Sequence, residues 1–430
     1  MLTLSYEYKL VPSPEQVTII EQTLNVCRKV WNFALRERKD WINSRKCTVD
    51  ACSLASEYII PADAPYPNYH KQAKSLTEAK KTNTELKEIN AQVLQQVLRT
   101  LDRAFEDMKG RGFGFPRFKN YSRMRSYVYP QMLKNPLRED AVKLPQLGWV
   151  KMRMSRPVPD GFELKQARIV RRASGYFVIL SLQLDVNIPE PPLHGHVIGV
   201  DLGLEKFLAT SDGQLVARPK FFNSLHTKLE LLQRRLRNKK KGSKNRRKLA
   251  RKIARVHQKI SDTRKDFHFK TAHQLCNQAQ TVFAEDLNLK AMSKGMLCKH
   301  TLDAGFGQFL NILSWTCWKR GAHFAKVDPN ATSQICPKCD TQVKKDLSVR
   351  VHQCSECGYT TDRDVASAQV IRQRGITAAG QVVEQIACGG EATGAGVTQS
   401  SLHPLRQETL GAILGNPRPN QRLWSVEDVN

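Results

Sequence analysis

The chain has 430 residues, room for two to four domains, and 40% of them are hydrophobic, enough for real cores. Its formal net charge of +28 is far more than solubility requires and points to a polyanion, nucleic acid before an anionic membrane surface. No apolar run approaches the roughly 18 residues that cross a bilayer. The opening MLTLSYEYKL also lacks the basic and apolar regions of a secretory signal, so a membrane role is excluded and a cytoplasmic protein is expected.

Residues 1–10 alternate as a strand (Leu2, Leu4, Tyr6, Tyr8, Leu10), and PSPEQ then opens a helical region that runs to about residue 110. Leu94, Val97, Leu98, Leu101 and Phe105 mark one amphipathic face. GFGFPRFKN (112–120) breaks the helix with Gly and Pro, and 143–188 reads as strands, including LGWVKMRM and YFVILSLQLDV. The first strand and this β region can belong to one domain with the helices inserted. NIPEPPLHG (187–195) is a linker. From 196, HVIGV is a strand, KFLATSDGQLVA is two strands turning at Asp212–Gly213, and 226–278 is helical. TVFAED is a strand, 304–320 a helix, HFAKV a strand, and a last helix covers about 363–374. This interleaving predicts an α/β sheet domain. The composition after about 376 predicts a flexible tail over 376–430, largely disordered from 385.

Four of the 11 cysteines form two CxxC units, Cys336/Cys339 and Cys354/Cys357, with 14 residues between them. Two such turns complete a tetrahedral, closed Zn2+ site of the structural type. A ribbon of this kind can touch nucleic acid or serve as a staple where no core forms. Gly358 suits a tight knuckle after the second pair, and Asp340 stands where glycine is common after the first.

Each acid nearby has an ordinary explanation alone. Asp201 precedes a glycine turn, Glu285 ends a strand, and Asp362 and Asp364 stand at a helix start where acids favour the dipole. Together they suggest more. Asp201 and Glu285 end apolar strands, the edge where α/β sheets build sites, and an acid from a helix N-terminus can reach that edge. Converging carboxylates need a cation, and hard oxygen donors suit Mg2+ or Mn2+. Two such ions clamp the attacking and leaving oxygens of a phosphodiester.

Residues 234–259 hold 14 Lys and Arg and no acid. Among them are Arg234, Arg235, Lys239, Lys240, Lys241, Arg246, Arg247 and Arg251. Leu249, Ile253, Val256 and Ile260 supply one packing face, and NKKKGSKN is the turn of a helical hairpin. One-sign density this high calls for a polyanion, with steep salt dependence.

The order HVIGVDLGL, TVFAEDLNLKAM, CxxC…CxxC, TDRDVASA resembles the RuvC-like nuclease domain of the TnpB family, encoded by prokaryotic insertion sequences and related to type V CRISPR effectors. WNFAL, LQQVLRTLDRAF, GFPRFK and KLPQLGWVKMR extend the resemblance over about 1–375. It implies a multidomain α+β and α/β protein. A split β-barrel wedge domain would span 1–195, with a helical recognition insertion over about 11–120. A RuvC-like (RNase H-like) nuclease domain would span 196–375, interrupted by a zinc ribbon at 333–361. It further implies an RNA-guided DNA endonuclease with guide RNA and target double-stranded DNA as partners, acting as a monomer with RNA in a prokaryotic, nucleoid-associated setting. By motif the catalytic acids are Asp201 (GVDLG), Glu285 (FAEDL) and Asp364 (the second Asp of DRD), with Asp201 bridging both metals and Asp286 and Asp362 as neighbours. The family's Asn two residues after the last Asp is here Ala366, which puts the site's full strength in question. Gln92, Gln95 and Gln96 lie on the helix where the family reads a short target-adjacent motif, and Gln can pair with adenine edges; an ordinary polar helix face explains them equally well. Phe115, Arg117 and Lys119 are candidates for backbone or RNA contact. A nuclease-silent guided DNA binder, a recombinase acting without RNA, and a compact CRISPR effector are the competing readings.

Overall fold

A computed structural model describes residues 2–46, 60–61, 63–186, 189–346 and 349–388. The chain forms two compact units, Met1–Asn187 and a second beginning at Ile188.

In the first unit β1 (Leu2–Val11) leads to the helices α1 (Pro14–Ser44), α2 (Tyr69–Thr82), α3 (Thr84–Lys87) and α4 (Ala91–Arg111). Strands β2 (Ser126–Tyr129), β3 (Ala141–Leu144), β4 (Gly148–Arg153), β5 (Glu163–Arg172) and β6 (Gly175–Leu184) follow. They form one sheet in the order β2-β5-β6-β1-β4-β3. β1 lies between β6 and β4, paired antiparallel from Leu2↔Leu184 to Lys9↔Phe177, so the helices interrupt a sheet whose first strand is already central. α1 starts on a capping box: the Ser13 hydroxyl accepts from Gln16 N–H at 3.2 Å, and the Gln16 amide oxygen accepts from Ser13 N–H at 3.0 Å. α4 begins at the Asn90 cap and stops at Gly112, whose φ of 67° is left-handed. Its predicted apolar face is buried. Strand β2 was not anticipated, because its four residues are too few for a clear alternation.

In the second unit β7 (Val197–Asp201), β8 (Lys206–Thr210) and β9 (Leu215–Ala217) precede a hairpin of α5 (Asn223–Arg237) and α6 (Lys244–Gln278). Then come β10 (Thr281–Glu285), the short α7 (Leu289–Met292) and α8 (Cys298–Ala304), α9 (Phe306–Arg320) and β11 (His323–Val327). The chain continues through β12 (Val351–Gln353) and β13 (Thr360–Asp362) into α10 (Arg363–Cys388). The sheet order is β11-β10-β7-β8-β9, with β7, β10 and β11 parallel and β7, β8 and β9 antiparallel. One face packs Ile198, Val200, Val282 and Ala284 on a core with Leu275 of α6 and Phe309 and Leu313 of α9. The opposite face packs Phe283 on Ile371 of α10.

Two glycines set how closely α10 lies on that second face. A Cβ at Gly199 would stand 2.0 Å from the Ala368 carbonyl oxygen, and one at Gly375 would stand 2.2 Å from the Phe283 ring. α10 runs well past the predicted end near 374, so residues 376–388 are helix and not tail. The composition after 376 concealed the helix, and close packing on Phe283 is what requires Gly375. The rest of the expected tail, 389–430, lies outside the described residues.

Candidate active site and metal centre

Strand alternation determines where the first two acids point. Ile198 and Val200 face the α6/α9 core, so Gly199 and Asp201 face α10; likewise Val282 and Ala284 face that core, while Phe283 and Glu285 face α10. β7 and β10 pair in parallel register up to Val200↔Ala284, and the next residue on each strand is Asp201 and Glu285. The two carboxylates therefore stand side by side at the carboxyl edge. α10 contacts Gly199 through Ala368 and Arg372, and Asp364 lies one helical turn before Ala368.

The three acids act on one another. Burial pushes the Asp201 carboxyl well above the usual range, and the charges of Glu285 and Asp364 push the same way against a weaker pull from Arg363. Glu285 is 7% exposed and is also raised by burial, opposed by a hydrogen bond from the Thr332 hydroxyl and by Arg374. Asp364 is half-buried beside Arg363, 3.3 Å away. A carboxylate at Asp201 that feels the charges of both Glu285 and Asp364 fits a divalent cation of the Mg2+ or Mn2+ kind, which would hold it ionised.

The neighbouring acids are occupied elsewhere. Asp362 accepts from the Lys206 ammonium at 2.8 Å and from Asp364 N–H at 2.9 Å. Burial raises its carboxyl, but these hydrogen bonds outweigh burial and hold it below its ordinary value. Asp286 is largely exposed and pairs with Lys326 at 3.0 Å.

The cysteines form two matching knuckles. Cys336 N–H donates to Thr341 O and Asp340 N–H to Cys336 O; Cys354 N–H donates to Tyr359 O and Gly358 N–H to Cys354 O. Asp340 takes φ 57° and Gly358 φ 69°, so the aspartate adopts the same left-handed turn as the glycine. The Sγ atoms of Cys336 and Cys357, and of Cys339 and Cys354, are 3.6 Å apart. A tetrahedral site with Zn–S of about 2.3 Å has edges of about 3.8 Å. All four sulfurs lie within 4.8 Å of one another, the one such Cys/His/Asp/Glu group among the described residues. The donor set fits Zn2+.

The knuckles are tied to the acid-bearing helix. β12 and β13 pair Val351 with Asp362, and Arg363 N–H donates to Arg350 O at 2.8 Å. Tyr359 donates to Gln369, and Gln373 donates to Pro337 O at 2.6 Å. The hairpin thus delivers the chain into α10 one residue before Asp364. Thr332, in the segment between β11 and the first knuckle, orients Glu285. Sequence reading missed the roles of Thr332, Lys206, Gly199 and Gly375; Gly199 lies in the GVDLG motif, but the motif drew attention only to Asp201. The glycine inside the apolar strand HVIGV was the one signal of close backbone approach. Ala366, 1% exposed, is buried behind Asp364 with no polar group to offer.

The expected nucleic-acid residues divide. In the α5–α6 hairpin Arg234, Arg235, Lys239, Lys240, Lys241, Arg247 and Arg251 are exposed. Arg235 and Lys239 line a cleft of about 460 Å³ with Lys248 and Lys252. Arg246 instead caps α5, donating to Leu236 O at 2.6 Å and Lys239 O at 3.0 Å. In the first unit Gln92, Gln95 and Gln96 are half-buried on α4, and Gln92 donates to Gln131 at 2.6 Å. Arg117 is exposed. Lys119 faces inward, its ammonium 3.4 Å from the Trp31 ring centroid and its pKa lowered by burial to about 8. No helix among the described residues is long and apolar enough to cross a membrane.

Comparison with known proteins agrees with this layout. Residues 180–296 match a family described as "Probable transposase", 306–371 a "Cas12f1-like, TNB domain", and 1–47 a "Helix-turn-helix domain". The last of these spans β1 and the single long α1 here. The chain is 30% identical to a "Putative RNA-guided DNA endonuclease" of Streptomyces pristinaespiralis, over 96% of this chain and 98% of that one. It is also 30% identical to the "Putative RNA-guided DNA endonuclease InsQ" of Escherichia coli K12, over 95% and 98%. Its fold resembles the protein in a Cas12f1–sgRNA–target DNA complex, with a TM-score of 0.51 at 14% identity over 84% of this chain and 83% of that one. Similarity that runs the length of both endonuclease relatives shows that the chain belongs to the TnpB family of insertion-element RNA-guided DNA endonucleases.

Proposed function

We propose that this protein carries a guide RNA and hydrolyses a phosphodiester of DNA matched by that guide, beside a short target-adjacent motif. Asp201, Glu285 and Asp364 would hold Mg2+ or Mn2+, and Cys336, Cys339, Cys354 and Cys357 would hold Zn2+. The observation that carries this reading is that Asp201 and Glu285 end two neighbouring parallel strands at one sheet edge, and that the charges of Glu285 and Asp364 both raise the Asp201 carboxyl. The sheet order β9-β8-β7-β10-β11 supports a RuvC-like, RNase H-like domain over 196–375, with the ribbon at 333–361 inserted in it. The six-stranded antiparallel sheet supports a wedge β-barrel over 1–195 with its helical insertion at about 11–120. One protein copy per RNA is the expected assembly.

Bound divalent ions would supply Lewis acidity and an activated water at the edge. Asp201, whose carboxyl feels the charges of both other acids, would be the ligand shared between the ions. Thr332 fixes the rotamer of Glu285, and Lys206 holds Asp362 aside so that Asp364 alone enters from α10. The exposed cations of the α5–α6 hairpin would neutralise backbone phosphates, with base pairing left to read the target.

The test is cleavage of a labelled matched duplex by the chain purified with its RNA. Asp201→Ala should abolish cutting while RNA and target binding persist; unchanged metal-dependent cutting would overturn the assignment. Tight guided binding without cutting by the unaltered chain would establish the nuclease-silent reading that Ala366 suggests. Strand-transfer products from an RNA-free preparation would establish a recombinase.

A further inference from the structure

Between Asp107 and Glu139 the chain carries eight Lys and Arg and no acid, a second cationic run apart from the α5–α6 hairpin. Its first part, from Gly112 to Met124, crosses from α4 to β2 without regular helix or strand. It is nevertheless anchored to α1. Trp31 donates to Arg117 O at 3.1 Å, Asn32 donates to Lys119 O at 2.9 Å, and Lys119 N–H donates back to Asn32 at 2.8 Å. Lys119 lies on Trp31, while Phe113 is 59% exposed and Phe118 40%; Tyr121 is already engaged, its hydroxyl donating to Glu21 at 2.5 Å and its ring centroid 4.1 Å from the Arg171 guanidinium. On α1, Phe33 is 71% exposed, and the Lys39 ammonium is 5.8 Å from the Phe118 ring centroid. A Cβ at Gly112 or Gly114 would meet nothing within 4 Å, so the space beside the rings is open.

Large aromatics held out on a pinned backbone, interleaved with cations and free of acids, have a specific use. Phosphates are drawn to the charge, and bases stack on the rings; only unpaired bases have faces to offer. We infer that the 112–121 strap, with Phe113 and Phe118, is a stacking platform for unpaired nucleotides of RNA. The choice of RNA rests on the reading that the chain carries a guide RNA, whose loops and junctions present splayed bases before any DNA is opened. The strap adds base stacking to the phosphate contacts of the hairpin and would fix the RNA's register on the first unit.

The experiment uses the full chain without added divalent ion, so a chain that never cuts DNA still answers it. A short unstructured RNA bearing 4-thiouridine, its RNA duplex, and single-stranded DNA of the same sequence bearing 4-thiothymidine are the probes, each titrated and photocrosslinked. A glutamate-specific protease leaves the strap in one peptide, since no Glu lies between Glu106 and Glu139. The expected result is a single-strand RNA crosslink in that peptide. The Phe113→Leu/Phe118→Leu variant should bind single-stranded RNA about tenfold more weakly, with duplex affinity and melting temperature unchanged. Phe118→Trp should retain full affinity. Crosslinks confined to the hairpin peptides, equal loss on duplex, no loss with Leu, or crosslinking by the DNA strand in preference to RNA would each overturn the proposal.

Discussion

At Cys336, Cys339, Cys354 and Cys357 four sulfur atoms lie within 4.8 Å of one another, while Asp201, Glu285 and Asp364 form no such tight group. The thiolate set is closed: both knuckles satisfy their own backbone, and no ligand position is left for substrate. The carboxylate set is drawn from three elements and left in mutual repulsion, a site that needs its cation to be complete. The two are joined through β13, which ends at Asp362 where α10 begins. A rigid centre whose last cysteine, Cys357, stands seven residues upstream of Asp364 would define that acid's position without entering the chemistry.

This contrast can be broken from either side. The largest expected effect is at the open set. Asp201→Ala should reduce guided cleavage by on the order of a thousandfold or more, leaving zinc content and RNA binding intact. Cleavage kinetics and metal analysis of the same preparation check both halves. Next is the closed set. Cys354→Ser should release the zinc and loosen the β12–β13 hairpin. Cleavage should fall by about 10–100-fold through Asp364 while RNA is still bound, as outer supports of metal sites typically behave. If cleavage survives loss of zinc, the ribbon does not position that acid.

The seat of α10 gives a smaller effect. Gly199→Ala forces a methyl into the Ala368 carbonyl, which should destabilise the protein by about 1–3 kcal/mol and lower the melting temperature by several degrees. Gly380→Ala, where nothing stands within 4 Å, should be neutral or stabilising by about 0.5–1 kcal/mol. Equal effects at both positions would show that helix propensity, not the close approach, governs. The smallest effect concerns protons. Asp201 has a raised carboxyl, so the metal-free folded state binds more protons than the unfolded one between the ordinary Asp value and the raised one. Stability of the metal-free protein should therefore fall as pH rises through that window. Asp201→Asn should flatten the dependence and raise the melting temperature near neutral pH, and added Mg2+ should have a similar levelling effect on the unaltered chain. A pH-independent melting temperature would contradict the repulsion.

The strands ending in Asp201 and Glu285, the paired cysteines, the basic hairpin and the buried face of α4 were legible because each is a local pattern of period or spacing. What was not legible depends on a distant neighbour. Lys119 read as a candidate for backbone or RNA contact, and its packing on the Trp31 ring could not be seen in the sequence. Arg246 stood in a run of identical charges, yet it alone caps α5. In 112–121 only Phe115, Arg117 and Lys119 were singled out; that Phe113 and Phe118 are exposed was not legible, because exposure is not written in composition.

Residue order alone determined the donor types, their pairing into two metal sets and the strand ends that carry two of the acids. These follow from side-chain chemistry and short-range backbone preference. Tertiary structure decided that Asp362 is paired with Lys206, how closely α10 approaches β7, and how far that helix runs. Lys206, Ala368 and Phe283 settle those points through hydrogen bonds and packing that no local window contains: Lys206 lies 156 residues from Asp362 and Ala368 lies 169 from Gly199.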